Sequence, residues 1–311
     1  MEQNKRTVLL CNLMLLTAAF IWGCSFIFQK DASNYIGPAT VMCVRYFLGS
    51  LTMLPFILYL ESKKPLNERT KYTKDSSKEI LKVAAVLAVV KVLDLVLNQA
   101  GIGYTTASKA AFLTAANMVM VPILAYIYFR QKTHLTRWMA TIIGMAGIYF
   151  MSITGGFSIN KGDLLIITST IFAATHLLLI SKVIQKFDGK HFVCIEFIIA
   201  SIYCGIYAFI VEKPTFQDIW ACAGSLAFAG ILGTGVCYAL QVTAQKHTDP
   251  TVTALILSLE SVFGALAGFV VLGESFTLRE FAGAFLMSAA VIIAQIKPKK
   301  PDSKQGGNLE K

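Results

Sequence analysis

The sequence has few charged residues and none of several motifs that mark enzymes. Only 15% of its 311 residues are charged, whereas a soluble domain carries about a quarter. HExxH, GxSxG and Walker A patterns do not occur, which argues against a zinc protease, a serine hydrolase and an ATP-driven pump. The seven cysteines form no CxxC pair, and the four histidines have no metal-ligand spacing. The sequence therefore predicts no enzyme activity, no cofactor and no metal site.

Apolar residues dominate what is present. They make up 55% of the chain, and the mean hydropathy is +0.62. They occur in ten runs, each close to the length of about 20 residues that a helix needs to cross a bilayer. We therefore predict an all-α integral membrane protein with ten transmembrane helices. The predicted spans are Val8–Gln29, Pro38–Leu60, Glu79–Gly101, Thr106–Phe129, Leu135–Ile153, Gly162–Val183, His191–Val211, Ile219–Gln245, Pro250–Leu272 and Leu278–Ile296.

The net charge of +10 follows the membrane topology. The basic residues lie between the apolar runs and not in a stripe with interleaved aromatics. We therefore predict membrane lipids as partners, and no nucleic acid. With the N-terminus inside, 20 Lys and Arg residues fall in cytoplasmic segments and four in external loops. The positive-inside rule then predicts that both termini are cytoplasmic. We expect a multi-pass protein of the plasma membrane, in the setting of a bacterial inner membrane.

The two halves of the chain show weak internal similarity. A separation of 143 residues aligns Asn98 with Gln241 and Asn117 with Glu260. Because each half holds five predicted spans, an odd number, the halves would insert with opposite orientations. Inverted repeats of this kind are typical of secondary transporters, whose substrate sites lie near the midplane where the repeats meet.

Three stretches resemble one protein family. Ala18–Phe26, AAFIWGCSF, is similar to the first-helix signature of the EamA family in the drug/metabolite transporter superfamily. Arg45–Leu48 resembles that family's second helix, and Thr253–Phe263, TALILSLESVF, is the most similar stretch. The resemblance implies two inverted five-helix EamA repeats around a central cavity, and passage of small organic solutes. We place the first repeat at 1–153, the second at 154–297 and a disordered cytoplasmic tail at 298–311. Ser261 stands where the family usually has proline, so the ninth helix is expected to be straighter.

Several charged side chains fall inside the predicted spans, where each costs about 2.5–3.5 kcal/mol if unpaired. Lys91, Asp94 and Asn98 are spaced i, i+3, i+7 and share one face of the third helix. This face would line the cavity and bind a polar or zwitterionic solute, or Asp94 would carry a proton. Alternatively, Lys91 and Asp94 form an intrahelical ion pair that only lowers the cost of insertion.

The remaining candidates also have two interpretations each. Arg45 and Glu196, which occupy corresponding places 151 residues apart, either meet across the axis between the repeats or have separate local partners. His176 would couple transport to a proton or serve packing, and Glu260 would act in transport or in structure. Aromatic rings would stack on a solute or pack against helices. The predicted substrate-binding or coupling residues are Trp22, Arg45, Lys91, Asp94, Asn98, Asn117, His176, Glu196, Tyr238, Gln241 and Glu260.

These features together predict a secondary transporter. Its expected solutes are small organic metabolites, with amino acids or amphiphilic amines as candidates, moved by alternating access and with a proton as a candidate coupling ion. A membrane channel or a lipid scramblase with a polar groove is the alternative, because either can also place polar side chains inside the membrane.

Overall fold

The structure is a computed structural model that describes residues 2–63, 65, 74–105, 107–131, 133–152, 160–272 and 278–295. Within these ranges the regular structure is entirely helical, without any strand, so the predicted all-α class is confirmed. The predicted tail, 298–311, and the predicted boundary between the repeats at 153–154 lie outside the described residues.

The first half of the chain forms six helices. Pro38 occupies the first position of α2, where its missing N–H costs nothing. The end of α5 is set by Arg130, whose φ of 53° is left-handed and whose N–H reaches back to the carbonyls of Ala125 and Tyr126. The helices are α1 (Glu2–Ala32), α2 (Pro38–Lys63), α3 (Lys74–Tyr104), α4 (Ala107–Ala115), α5 (Asn117–Phe129) and α6 (Leu135–Ser152).

The second half contains two π-helical stretches, π1 and π2, among its α-helices. Side chains fix several starts: Asn160 and Asp163 form a capping box at α7, and Asp249 caps α12 ahead of Pro250. The elements are α7 (Lys161–Lys186), α8 (Gly189–Tyr207), π1 (Ala208–Glu212), α9 (Phe216–Ala221), α10 (Ala223–Ala227), π2 (Phe228–Val236), α11 (Cys237–Gln245), α12 (Pro250–Leu257), α13 (Glu260–Leu272) and α14 (Leu278–Gln295).

Five helical stretches in the described part of the chain are long and apolar enough to cross a membrane. Large apolar side chains also point outward on many helices, for example Phe47 at 58% exposure and Phe209 at 82%. A water-facing protein would avoid such a surface, whereas lipid accommodates it. The chain is therefore a multi-pass membrane protein. The five stretches are Arg6–Ala32, Pro38–Lys63, Lys161–Lys186, Gly189–Glu212 and Ala223–Gln245.

Two of the predicted spans are interrupted near their middle, while the eighth, Ile219–Gln245, is broken close to its start at Cys222. The fourth breaks at Ala116, between α4 and α5, and α5 continues through Pro122. The ninth breaks at Ser258 and Leu259, between α12 and α13, although no proline is present there. At both points tighter i→i−3 bonds replace the α-helical pattern: the Ala116 N–H donates to Leu113 O and the Leu259 N–H to Ile256 O, both at 3.2 Å. The expectation of a straighter ninth helix was wrong.

The most extensive helix contacts join the first half of the chain to the second. α6 packs on α14, α3 on α7 and α8, α2 on α8 and π2, and α1 on α13 and α11. Gly147 permits the approach of α6 to α14, because a Cβ there would lie 2.7 Å from the Gly283 carbonyl oxygen. Trp22 contacts both of the large clusters of buried apolar side chains, so it lies between them.

Candidate functional site

A cavity of about 110 Å³ lies where helices of both halves meet. Pockets that enclose drug-sized ligands measure about 300–1,000 Å³, so this conformation suits a solute of few non-hydrogen atoms. Most of the predicted site residues belong to its wall. Ten of the eleven line it: Trp22, Arg45, Lys91, Asp94, Asn98, Asn117, His176, Tyr238, Gln241 and Glu260.

The polar face of α3 forms one wall. Lys91 Nζ lies 3.1 Å from Asp94 Oδ2, and both side chains are almost wholly buried. The ammonium also lies 4.7 Å from the centre of the Tyr238 ring, where the ring quadrupole attracts a cation. One turn further, Asn98 Nδ2 donates to Thr114 Oγ1 at 2.8 Å. The predicted ion pair is present, and it lies on the cavity wall.

Arg45 reaches the cavity from α2. Its Nη1 donates to Gln29 Oε1 at 2.8 Å and its Nε to Thr234 Oγ1 at 3.4 Å. Gln29 is itself held, since its Nε2 donates to Ser25 Oγ at 3.1 Å. Arg45 is only 3% exposed, yet its guanidinium forms no ion pair with any residue that the structure describes.

Glu196 is the predicted site residue that does not line the cavity. It lies behind His176, with its Oε1 2.6 Å from His176 Nε2. Glu196 is 0% exposed, and its Oε2 has no hydrogen-bond partner. Arg45 and Glu196 therefore have separate local partners, as one of the two sequence interpretations held. His176 connects the buried carboxylate to the cavity wall.

The two helix interruptions place polar side chains on the cavity wall. Asn117 is the first residue of α5 and Glu260 the first residue of α13. Asn117 Oδ1 is buried without a hydrogen-bond partner. Glu260 is 9% exposed, and no described residue gives it a hydrogen bond or an ion pair. Both interruptions thus turn an unpartnered oxygen-bearing side chain toward the same space.

Aromatic residues and amides complete the wall. Trp22 Nε1 donates to Gly233 O at 2.6 Å, and its ring meets the Tyr238 ring edge-on with centres 5.1 Å apart. Gln241 Nε2 donates to Gln245 Oε1 at 3.3 Å, while the Gln241 Oε1 atom is buried without a partner. The two rings offer apolar surface between the charged groups.

Polar contacts tie neighbouring helices on the side of the molecule that we predict to be external. Lys30 Nζ, on α1, donates to the carbonyls of Ile102, Gly103 and Thr105 at the end of α3, at 2.9–3.0 Å. Glu212 accepts bonds from the Thr40 N–H at 2.7 Å and the Thr40 hydroxyl at 2.6 Å, which caps α2.

Other polar contacts lie on the side that we predict to be cytoplasmic. Arg137 Nη1 lies 2.8 Å from Asp249 Oδ2, and Lys186 pairs with Glu79. Asp188 caps α8, and its Oδ1 lies 3.0 Å from His191 Nδ1. The hydrogen bond from His191 holds the pKa of the Asp188 carboxyl below its usual range.

Sequence reasoning missed some members of the wall. Gln29 and Phe26 line the cavity and lie seven and four residues after Trp22, so helical periodicity alone could have found them. Thr234, which holds Arg45, carries no such signal, because it belongs to a π-helical stretch. Within the described residues no group of three His, Cys, Asp or Glu side chains could hold a metal ion.

Comparison with known proteins shows which family and which relatives this chain resembles. The sequence profile of the EamA-like transporter family matches residues 9–153 and 160–295. An uncharacterized transporter of Archaeoglobus fulgidus is 27% identical, over 93% of this chain and 87% of its own. The uncharacterized transporter YoaV of Bacillus subtilis is 21% identical over 90% and 95%, and a WAT1-related protein of Arabidopsis thaliana is 21% identical over 92% and 88%. One solved crystal structure superposes with a TM-score of 0.71 at 10% identity, over 92% of this chain and 96% of that one, which bears on the fold alone.

Proposed function

Because the chain belongs to the EamA-like transporter family, we propose that it is a secondary transporter that moves small organic metabolites by alternating access. The cavity is the proposed substrate site. The observation that carries this proposal is its composition: buried groups of both charge signs, from both halves, line one space. Ionisable groups are costly within a membrane, and those that occur there usually mark a substrate or ion pathway. Amino acids and amphiphilic amines, which combine charge with apolar surface, are the proposed solutes.

The proposed architecture is ten spans in two inverted repeats. In the proposed repeat, α7 is the counterpart of α1, and α11 is the counterpart of α3. The packing of α3 on α7 is matched by contact between their counterparts, α11 and α1, which supports the repeat. Likewise α1 packs on α13, and its exchanged counterpart α7 packs on α5. Such exchange is what a twofold relation between the halves requires.

The proposed alternating access is a rocking of one half against the other. Its support is the position of the cavity between the halves, with polar ties at both ends of the helices. The bonds from Thr40 to Glu212 join the two halves at one end, and the Arg137–Asp249 pair joins them at the other. A few hydrogen bonds of this kind can break and re-form on alternate sides, because each contributes only about 0.5–3 kcal/mol net.

The proposed orientation places both termini in the cytoplasm. The excess of Lys and Arg, 20 against four, supports it. The proposed location is the cytoplasmic membrane of a bacterium, and a relative from Bacillus subtilis is in keeping with it. A proton is the proposed coupling ion, and the His176–Glu196 pair is its proposed carrier, because the two side chains share a hydrogen bond and His176 lines the cavity.

Counterflow in proteoliposomes tests the proposal. Vesicles loaded with one unlabelled amino acid or amphiphilic amine should take up the same labelled solute in a saturable manner, whereas a channel or scramblase gives no counterflow. An enclosed pH-sensitive dye reports any coupled proton. Lys91→Met and Asp94→Asn should each slow uptake at least about tenfold, since each leaves a buried charge unpaired on the wall.

The matched control is Lys186→Met, which also removes a paired lysine but one that is 61% exposed and remote from the cavity. It should retain uptake. Equal rates for Lys91→Met and the unaltered protein would remove the Lys91–Asp94 pair from the site, and absence of counterflow with every solute would refute the carrier mechanism.

A further inference from the structure

Arg45 differs from the other buried basic side chains of the cavity in its partners. Lys91 is neutralised by Asp94 at 3.1 Å and lies over the Tyr238 ring. His176 is bonded to Glu196 at 2.6 Å. Arg45 has only two neutral partners, Gln29 and Thr234. Arg45 is therefore a buried, permanently charged cation on the cavity wall, and no described residue serves as its counter-ion.

The guanidinium of Arg45 still has donors to offer. It carries five N–H groups, and two of its nitrogens, Nη1 and Nε, make the bonds to Gln29 and Thr234. No described residue accepts a hydrogen bond from Nη2. A buried cation whose donors are left unused is costly unless something else occupies them.

Space lies beside the unused nitrogen. Gly233 faces Arg45 from π2, and a Cβ added there would be 3.9 Å from Nη2 and 3.4 Å from Ser25 Oγ. These are ordinary contact distances, so the glycine leaves room for about one carbon atom beside the guanidinium, and Arg45 itself lines the cavity. The backbone around Gly233 is fixed by the Trp22 indole, which donates to its carbonyl at 2.6 Å. Gln29 and Thr234 hold two of the Arg45 nitrogens in place, and Nη2 is left to face this space and the cavity.

We infer that Arg45 binds a carboxylate of the transported solute, so that the protein recognises acids and zwitterions and discriminates against simple amines. This inference rests on the proposed transport function and selects between its two solute classes. A carboxylate matches the planar fork of a guanidinium better than any other common metabolite group. Glu260, the unpartnered carboxyl on the same wall, then faces the opposite charge of a zwitterion.

The test uses matched sets of solutes that differ only in charge. Each set contains an amino acid, the amine left when its carboxylate is removed and the acid left when its amine is removed. Three sets cover small to large side chains: alanine with ethylamine and propionate, leucine with 3-methylbutylamine and 4-methylpentanoate, and phenylalanine with phenethylamine and 3-phenylpropionate. Binding to the full-length protein in detergent is measured as a shift in melting temperature, and counterflow is measured in proteoliposomes.

At least one amino acid should bind and exchange, and its amine should not. Arg45→Gln should weaken that binding about 10- to 100-fold, the usual worth of hydrogen bonds to a charged group, and Arg45→Lys should lie between. Without solute, Arg45→Gln should melt at or above the temperature of the unaltered protein, because it removes an uncompensated charge. Lys186→Gln, which alters a lysine that is 61% exposed and does not line the cavity, should leave solute binding unchanged.

Three results would overturn the inference. If the amines exchange as well as the amino acids, the inference about Arg45 is wrong, but the proposed transport function holds. A lower melting temperature for Arg45→Gln with unchanged solute binding would make Arg45 a structural residue. If none of the nine solutes binds or exchanges, Arg45 has no small carboxylate ligand, and counterflow of another metabolite would show whether transport itself survives.

Discussion

Replacing His176 by leucine removes the hydrogen-bond partner that Glu196 has within the described residues. Glu196 is 0% exposed, and its Oε2 already lacks a partner. The carboxyl of the variant would therefore be buried with neither oxygen bonded. The reverse variant, Glu196→Leu, leaves an imidazole that is 3% exposed without its acceptor. The double variant removes both polar groups at once.

The magnitudes differ among these three variants. Removing one member of a buried pair costs about 3–5 kcal/mol, so His176→Leu should lose that much stability. Glu196→Leu should lose about 1–3 kcal/mol, the cost of one buried unsatisfied polar group. The double variant should be within about 1 kcal/mol of the unaltered protein, since well-packed apolar side chains often replace a buried pair without loss. The coupling energy should thus exceed about 2 kcal/mol.

A double-mutant cycle checks this expectation. The free energy of unfolding is measured by titrating the purified protein in mixed micelles with a denaturing detergent. Hydrogen bonds between membrane helices couple by about 0.6 kcal/mol on average and at most about 1.7 kcal/mol. A cycle on the exposed Lys186–Glu79 pair serves as the control and should give about 0.2–1 kcal/mol. If the His176–Glu196 coupling is no larger than the control, the two residues do not form a buried acid–base unit.

Two further predictions concern a helix crossing and the cytoplasmic end of α8. A Cβ at Gly23 would lie 2.5 Å from Glu260 O and 2.7 Å from Gly264 N, so Gly23→Ala should lower the free energy of unfolding by about 1–3 kcal/mol. Gly224 has open space around it, so Gly224→Ala should raise that free energy by about 0.5–1 kcal/mol. Equal melting temperatures for the two variants would contradict the close helix crossing at Gly23. Asp188 has a lowered pKa, so its contribution to stability is full above the ordinary aspartate pKa and declines below it. The melting temperature of Asp188→Asn should therefore fall less than that of the unaltered protein between about pH 5 and about pH 3, and parallel curves would contradict this.

The polar face of α3 shows what sequence could predict. Lys91, Asp94 and Asn98 interrupt an apolar run, and lipid cannot solvate them, so they must turn toward protein. Their spacing fixes a shared face of a helix irrespective of its neighbours. The ion pair could be predicted for the same reason, because i and i+3 side chains of one helix meet whatever packs against it.

The partners of Arg45 and Glu196 show what sequence could not predict. Each side chain reaches a neighbouring helix, Arg45 to Gln29 on α1 and Glu196 to His176 on α7. Which neighbour lies within reach depends on helix crossing and rotation, and neither leaves a local trace in the sequence. The interruption at Ala116 is hidden for another reason: alanine is a strong helix former, so the break must come from tertiary packing.

The two halves contribute different chemistry to one cavity. In the proposed inverted arrangement Arg45 corresponds to Glu196, which lies behind His176 and off the cavity wall, and Asn117 corresponds to Glu260, so the two halves give the wall different groups. A cavity with identical walls would accept a zwitterion in either of two opposite orientations. Because the unpaired guanidinium belongs to α2 and the unpaired carboxyl to α13, the proposed site would hold a zwitterion in a single orientation. A solute held in one orientation places its own side chain against the same wall of the cavity in every transport cycle. Residues of that wall alone can then determine which solute side chains are accepted.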